Sequence, residues 1–309
     1  NVSEKPVVPW CPDSQQNMFY DQRRGKYVAY LRAVRELMGI DANEWRMVMR
    51  CEVDDLDDWS KSDPQIIFRP DADDPPDVDF YTNACSLYPW AADAYFMFPA
   101  AYHHYPAEYG NDGLLDISAA ASRDGVRWLR PDRGPYIPLG TKGEWDAMFN
   151  MMGVGMVRQG DKILQYYNAV DFGHGGTRDE SLDIESAQGR RRWGWMGAAE
   201  QRLDGFYSAD ASYEGGWITT PTLKFSGNFL ELNINTSSAG SAQVELRDES
   251  GQAIPGFTLQ DCDTIMTNDV RHRVSWKGNA DLSALAGRPV QLHVEMRSAK
   301  LYAFQFVEK

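Results

Sequence analysis

One unit of sequence recurs three times, and that recurrence limits the folds open to this chain more than any other feature. Gly25-Lys26-Tyr27-Val28-Ala29-Tyr30 is echoed by Asp93-Ala94-Tyr95-Phe96-Met97-Phe98, then by Asp161-Lys162-Ile163-Leu164-Gln165-Tyr166. Tyr27, Tyr95 and Ile163 stand 68 residues apart. A short apolar run precedes each copy: Asn17 to Tyr20, Ala84 to Tyr88, and Gly155 to Arg158. A third run follows each: Arg46 to Cys51, Ile117 to Ser122 and, more weakly, Gly194 to Glu200. That run ends in a turn rich in Asp, after which Trp59, Trp128 or Phe206 is placed to open a fourth strand. Four antiparallel strands repeated in this way make a blade, so the pattern predicts an all-β chain whose first part is a β-propeller.

The first copy is the best formed. Asn17-Met18-Phe19-Tyr20 and Lys26 to Tyr30 flank Asp21-Gln22-Arg23-Arg24-Gly25, which supplies the charges and the glycine of a hairpin loop, with Asp13 just ahead. Propellers close with about four to eight blades. Three copies therefore imply further blades upstream of Asn1, or a ring completed by a second chain in a homo-oligomer. The start Asn-Val-Ser-Glu-Lys-Pro, with no Met and no signal-peptide pattern, fits a processed or incomplete chain.

From Trp217 the pattern changes. Phe229 to Asn235, Ala242 to Arg247, Arg271 to Trp276, Val290 to Met296 and Leu301 to Phe306 alternate apolar and polar residues. Alternation means one buried and one wet face, which predicts a C-terminal β-sandwich over 217–309 after propeller blades over 1–216. Helical periodicity is confined to Tyr30 to Met38 and Asp281 to Ala286.

Charge and composition exclude several function classes. A net charge of −14 is the wrong sign for nucleic acid or an anionic membrane surface. No apolar run nears the ~18 residues of a membrane span. Aromatic residues make up 12% of the chain, a content that suits strand packing or a sugar-binding surface. Cys11, Cys51, Cys85 and Cys262 are scattered, with three in apolar segments, and read as buried free thiols.

Cys11 through Asp21 and Gly25-Lys26-Tyr27 resemble the third blade of the five-bladed glycoside hydrolases of families 43 and 32. In that blade an Asp stands ahead of a strand, a hairpin and Gly-Lys-Tyr. Ser122-Arg123-Asp124-Gly125-Val126-Arg127-Trp128 is similar to their blade-ending turn. With the C-terminal sandwich, the architecture resembles bacterial family-32-like proteins, which makes a bacterial source the expectation. The resemblance implies that the chain holds blades three to five and acts on an oligo- or polysaccharide without a cofactor. In these families one carboxylate is base or nucleophile, one is the acid, and a third tunes the pair. Asp13 matches the tuning residue. The base belongs to the first blade, absent here. The acid opens the fourth blade, where this chain reads Phe80-Tyr81-Thr82-Asn83-Ala84 with Asp79 as the nearest carboxylate.

The other candidates come from blade position. Glu144 and Asp146 flank Trp145 ahead of the third copy and could supply an acid beside a stacking ring. Asp13, Glu144 and Asp146 are therefore the expected catalytic carboxylates. His103 and His104 end a strand, so at most one of them faces a ligand. Asp171-Phe172-Gly173-His174-Gly175-Gly176 holds Asp171 and His174 in a glycine-rich loop. His103, His104, Trp145, Asp171 and His174 are the expected substrate-binding residues. Arg190-Arg191-Arg192 reads as an exposed basic turn, and Asp71-Ala72-Asp73-Asp74 as surface rather than a calcium loop, since it lacks the Gly and distal Glu. His272 and His293 read as structural. A non-catalytic carbohydrate-binding protein is the alternative to an enzyme.

Overall fold

In the computed structural model, residues 8, 13, 15–33, 39, 46–175 and 194–308 are described. The chain is all-β: among these residues the only helical turns are 3-10 turns at Trp59–Lys61, Ala107–Tyr109 and Ser283–Leu285. It divides into two compact units, 1–157 with 164–199, and 158–163 with 200–309.

In the first unit, β1 (Asn17–Asp21), β2 (Lys26–Arg32), β3 (Val48–Val53) and β4 (Gln65–Phe68) form one antiparallel sheet in chain order. The hairpin pairs Asn17 with Tyr30 and Asp21 with Lys26, and the turn closes on a Gly25 N–H to Asp21 carbonyl bond of 2.8 Å with Gly25 at φ +66°. Successive side chains of β2 enter different cores. Val28 and Tyr30 pack with Val48, Phe68, Phe80 and Met97, whereas Ala29 and Leu31 pack with Met49, Cys51, Val53 and Trp59. Burial on both faces is why this segment is nearly continuous in apolar residues.

Trp59 does not open the fourth strand. It sits fully buried in the 3-10 turn, and β4 starts only at Gln65. An indole has too much apolar surface to leave at a turn beside an open core, so it plugs that core and the chain needs several more residues to return.

The second copy forms a sheet in the order β10-β7-β6, from β6 (Ser86–Leu87), β7 (Tyr95–Met97) and β10 (Ala120–Ser122), and Leu129 bridges to Ala121. The third sheet contains β5 (Val78–Phe80), β8 (Ala100–His104), β9 (Gly113–Ile117), β11 (Phe149–Met152), β12 (Val157–Gln159), β13 (Lys162–Val170) and β14 (Trp195–Arg202). It runs β12-β13-β11-β9-β8-β5, with β14 also on β13. Buried amides join these sheets. Asn17 Nδ2 donates to Asn83 Oδ1 and to the Cys85 carbonyl, Asn83 Nδ2 donates to the Tyr30 carbonyl, and Gln15 Nε2 donates to the Met152 carbonyl at 2.7 Å. Such groups must find partners once out of water, so they fix where the sheets meet.

The acidic run at 71–74 is not plain surface. Asp74 is almost buried and takes Arg130 in a two-point contact at 2.6 Å, while Asp71 accepts from Arg133 at 2.8 Å. The Arg133 bond holds the Asp71 carboxyl well below the usual range. Two arginines more than fifty residues downstream decide its environment, and a local motif cannot announce them.

The second unit has two antiparallel sheets around one core. β15 (Ala209–Ala211), β21 (Ala299–Val307), β17 (Phe229–Asn235) and β19 (Asn268–Arg273) form one, while β16 (Gly216–Thr219), β20 (Gln291–Arg297) and β18 (Ser241–Arg247) form the other. Leu230, Leu232, Ile234, Val244, Leu246, Leu292 and Val294 meet between them. Each such side chain contributes about 1.5–3 kcal/mol of burial. β19 stops at Arg273 because Trp276 turns into the core and donates its indole N–H to the Val244 carbonyl at 2.9 Å. Cys51, Cys85 and Cys262 are buried free thiols, and Cys11 lies outside the described residues, as does Arg190-Arg191-Arg192.

Candidate functional site

The end of β2, the strand β5 and the loop at 172–175 bring a charged and aromatic cluster together. Arg32 closes β2 and donates Nη1 to Asp13 Oδ2 at 2.9 Å and Nη2 to the Tyr81 carbonyl at 3.3 Å. Its guanidinium also lies 4.4 Å from the centre of the Tyr81 ring. Asp13 is thus an exposed carboxylate with its counter-charge already in place.

Behind it, Asp79 on β5 is completely buried. Three donors meet on its Oδ2: the Arg46 backbone N–H at 3.2 Å, Arg46 Nη1 at 3.0 Å and His104 Nε2 at 3.0 Å. Its Oδ1 has no hydrogen-bond partner. The β5–β8 register sets Asp79 opposite Tyr102, so Tyr102 and His104, two residues apart, share its face. Their rings stack at 3.9 Å. Arg46 lies about 5 Å from both the Tyr81 ring (5.1 Å) and the Tyr102 ring (5.0 Å).

His103 takes the other face, where Asp116 accepts from it at 2.9 Å. That bond raises the His103 pKa, against the opposing effect of burial. Because the folded-state pKa lies above the unfolded one, the contribution is complete below the ordinary histidine range and fades as pH rises through the raised value. His103→Gln should therefore lose more thermal stability relative to wild type at pH 5 than at pH 8. Melting curves at the two pH values check this, and equal losses would count against the pair.

His174 completes the cluster. Its Nδ1 lies 3.0 Å from the Asn111 carbonyl, an acceptor, so that nitrogen carries a proton and the ring's orientation is set. Tyr81 and Tyr102 each lie 4.9 Å from the ring. The loop is gripped by buried Asp112, whose Oδ1 accepts from the backbone N–H of Gly113 at 2.8 Å and of Gly175 at 2.6 Å. A Cβ on Gly173 or Gly175 would press on that carboxylate, which is why the loop needs glycine there.

The 144–146 turn forms a separate cluster. Glu144 is exposed. Trp145 stacks on Tyr167 at 5.7 Å and meets Trp195 edge-on, while Asp146 accepts from the Tyr167 hydroxyl at 3.4 Å. Burial, then Asp146, raises the Tyr167 pKa. Asp146 shares no hydrogen-bonding partner with Asp13 among the described residues. Asp171 lies half-buried just past β13.

The site therefore gathers Asp13, His104 and His174 from the sequence candidates, and adds Arg32, Arg46, Tyr81, Tyr102, Asn111 and Asp112. Arg46 and Asp79 are ordinary residues of strand ends in the sequence. Asp79 is noted in the sequence as the carboxylate nearest the place of the family acid, but its contacts with Arg46 and His104 emerge only from the tertiary structure. Among the described residues, no group of three or more His, Cys, Asp or Glu side chains is placed to hold a metal ion. No helix among them is long and apolar enough to cross a membrane.

No family model matches the chain, and no curated protein matches it. Solved structures do. An N-acetylgalactosamine deacetylase from F. plautii, in complex with blood group B trisaccharide, is similar over 61% of this chain and 50% of its own, with 15% identity and a TM-score of 0.41. A Bombyx mori GH32 beta-fructofuranosidase is similar over 98% of this chain and 69% of its own, with 8% identity and a TM-score of 0.38. A glycoside hydrolase family 43 arabinoxylan arabinofuranohydrolase from Bacillus subtilis, in complex with cellotetraose, is similar over 98% of this chain and 68% of its own, with 12% identity and a TM-score of 0.33. The match to the deacetylase spans half of that protein's length.

Proposed function

We propose that this chain is a glycoside-hydrolase-like protein that holds a saccharide over the cluster of Asp13, Arg32, Tyr81 and His174 and acts on a glycosidic bond. In this reading 1–216 are propeller blades and 217–309 a sandwich, and blades beyond this chain or a second copy complete the ring. The observation that carries it is the convergence of an arginine-held carboxylate and a histidine anchored through Nδ1 around one tyrosine ring. Asp13 orients a hydroxyl and tunes the site by its charge. His174 accepts a proton or a hydroxyl hydrogen at Nε2, with Nδ1 fixed on a carbonyl so that the ring cannot swing. Glu144 and Asp146 stay candidates for acid and base, with Trp145 holding their turn.

Hydrolysis of a panel of aryl-glycosides tests the reading. At least one substrate should turn over, and Asp13→Asn and His174→Ala should each lower kcat/KM by about 100-fold or more. Glu144→Gln separates the second cluster, since it lowers the rate only if that turn reaches the bond. No turnover of any glycoside would remove the enzyme reading.

A second reading, binding without cleavage, is favoured by one observation. Asp79, the carboxylate nearest the place of the family acid, is fully buried and saturated on Oδ2 by Arg46 and His104. A carboxyl with no exposure and three donors on one oxygen is out of reach of a leaving-group oxygen. Saccharide binding in calorimetry that Tyr81→Ala abolishes, with no hydrolysis, would select this reading.

A further inference from the structure

We propose that the solvent-facing side of the sheet β16-β20-β18 is a second saccharide-binding site, with Trp217 as its stacking platform and an uncharged pyranose as its ligand. The inference stands on residues 213–297 alone and does not depend on the reading above.

The strand register assembles the face. Trp217 pairs with Glu295, Thr219 with His293, Gln243 with Glu295 and Glu245 with His293, so these side chains share one side of the sheet. The opposite side carries Val244 and Val294 into the core. Trp217 is 69% exposed, an unusual position for an indole on a strand. It does not sit in an apolar patch. Its ring lies 5.7 Å from that of His293, tilted by 39°. His293 is only 4% exposed, and its Nδ1 engages Thr219 Oγ1 at 2.7 Å. Its Nε2 has no hydrogen-bond partner and lies 3.5 Å from Glu295 Oε1. On the same face, Arg297 donates Nε to the Tyr213 carbonyl at 2.8 Å and lies 3.9 Å over the Tyr213 ring, which is also exposed.

This combination fits a sugar better than a protein partner. A pyranose has one face of C–H groups for the indole and an edge of hydroxyls that both donate and accept. Beside the platform, the exposed Glu295 offers acceptors and the exposed Arg297 has N–H groups beyond the one given to Tyr213, while the His293 imidazole is buried beneath. A hydrophobic protein surface would bury the two charged groups without adding partners for them. Glu295 and Arg297 carry opposite charges, and Glu245 on the same side is paired with Arg247 at 2.8 Å, so the face has no net charge with which to select an acidic or a basic sugar.

The test is calorimetric titration of the full chain with neutral cello-, xylo- and galacto-oligosaccharides. Wild type should bind at least one with a Kd of about 1 mM or tighter. Trp217→Ala should weaken that binding by about tenfold or more, in line with loss of a stacked aromatic. Glu295→Gln should weaken it less. Binding that depends on Trp217 in a protein that hydrolyses nothing would support this site and remove only the enzyme reading. No binding by wild type, or binding unchanged in Trp217→Ala, would overturn the proposal. So would a dimer in sedimentation that Trp217→Ala dissolves while sugar has no effect, because the face would then belong to a second copy of the chain.

Discussion

Replacing Asp79 with alanine should destabilise the first unit by about 3 kcal/mol, close to the lower end expected when one member of a buried charge pair is removed. The carboxylate has no exposure, and it accepts from Arg46 twice and from His104 once. Without it, the Arg46 guanidinium keeps only Asn111 Oδ1 at 3.0 Å and the Tyr81 and Tyr102 rings. His104 loses the acceptor that sets its orientation against Tyr102. Asp79→Asn preserves size and an acceptor oxygen, and should cost less. Taking both charges out with Asp79→Leu and Arg46→Met should restore part of the loss, since the surviving ion is what makes the single change expensive. Urea denaturation of the three variants measures this. A single variant as stable as wild type would mean that the pair is dispensable. Because Arg46 also touches the Tyr81 ring, Asp79→Ala should loosen the cluster that holds Asp13 and His174.

Gly240→Ala should cost the second unit about 4 kcal/mol or more, the range reserved for changes the backbone cannot absorb. A Cβ there would run into the carbonyl oxygens of Thr236, Arg297 and Ser298 at once. None is the end of a flexible side chain. Thr236 is buried, and the Gly240 N–H donates to its carbonyl at 2.9 Å, so the connection from β17 to β18 cannot shift outward without giving up its own closure. Gly256→Ala is the control. That residue has φ +87° but open space around it, so only the left-handed backbone cost of about 1–2 kcal/mol applies. Calorimetric melting of the two variants separates crowding from backbone strain. Equal losses would show that crowding at Gly240 is relieved elsewhere.

Local pattern made much of the strand layout legible. The hairpin of β1 and β2 is visible in Asn17 to Tyr30 because its turn chemistry and its apolar runs are local. The alternating segments of the second unit became β17, β18, β20 and β21 within a residue or two at each end, for the same reason. Trp59 and Trp276 broke the pattern. Each is an aromatic that local pattern assigned to a strand, where the propensity to extend competes with a core that needs filling, and the core prevails. The 71–74 run lies at the surface as expected, with 71–73 exposed, but the arginines that pair Asp71 and Asp74 are far along the chain and no local motif announces them.

The same division holds for the candidate site. Sequence by itself determined that the chain is all-β, that Asp13 leads a strand into a hairpin, that His103 and His104 must point apart, and that His174 lies in a loop of glycines. These follow from alternation, from turn chemistry and from the freedom of glycine, which act over a few residues. Tertiary structure alone decided which histidine meets a buried carboxylate, that Asp13 is held by Arg32 while Asp146 is held elsewhere, and that Asp112 grips the loop of His174. Those outcomes depend on β5 pairing with β8 and on the 172–175 loop returning to residues 111–113. Such long-range pairings are set by the closure of many buried contacts together, which no short stretch of sequence encodes.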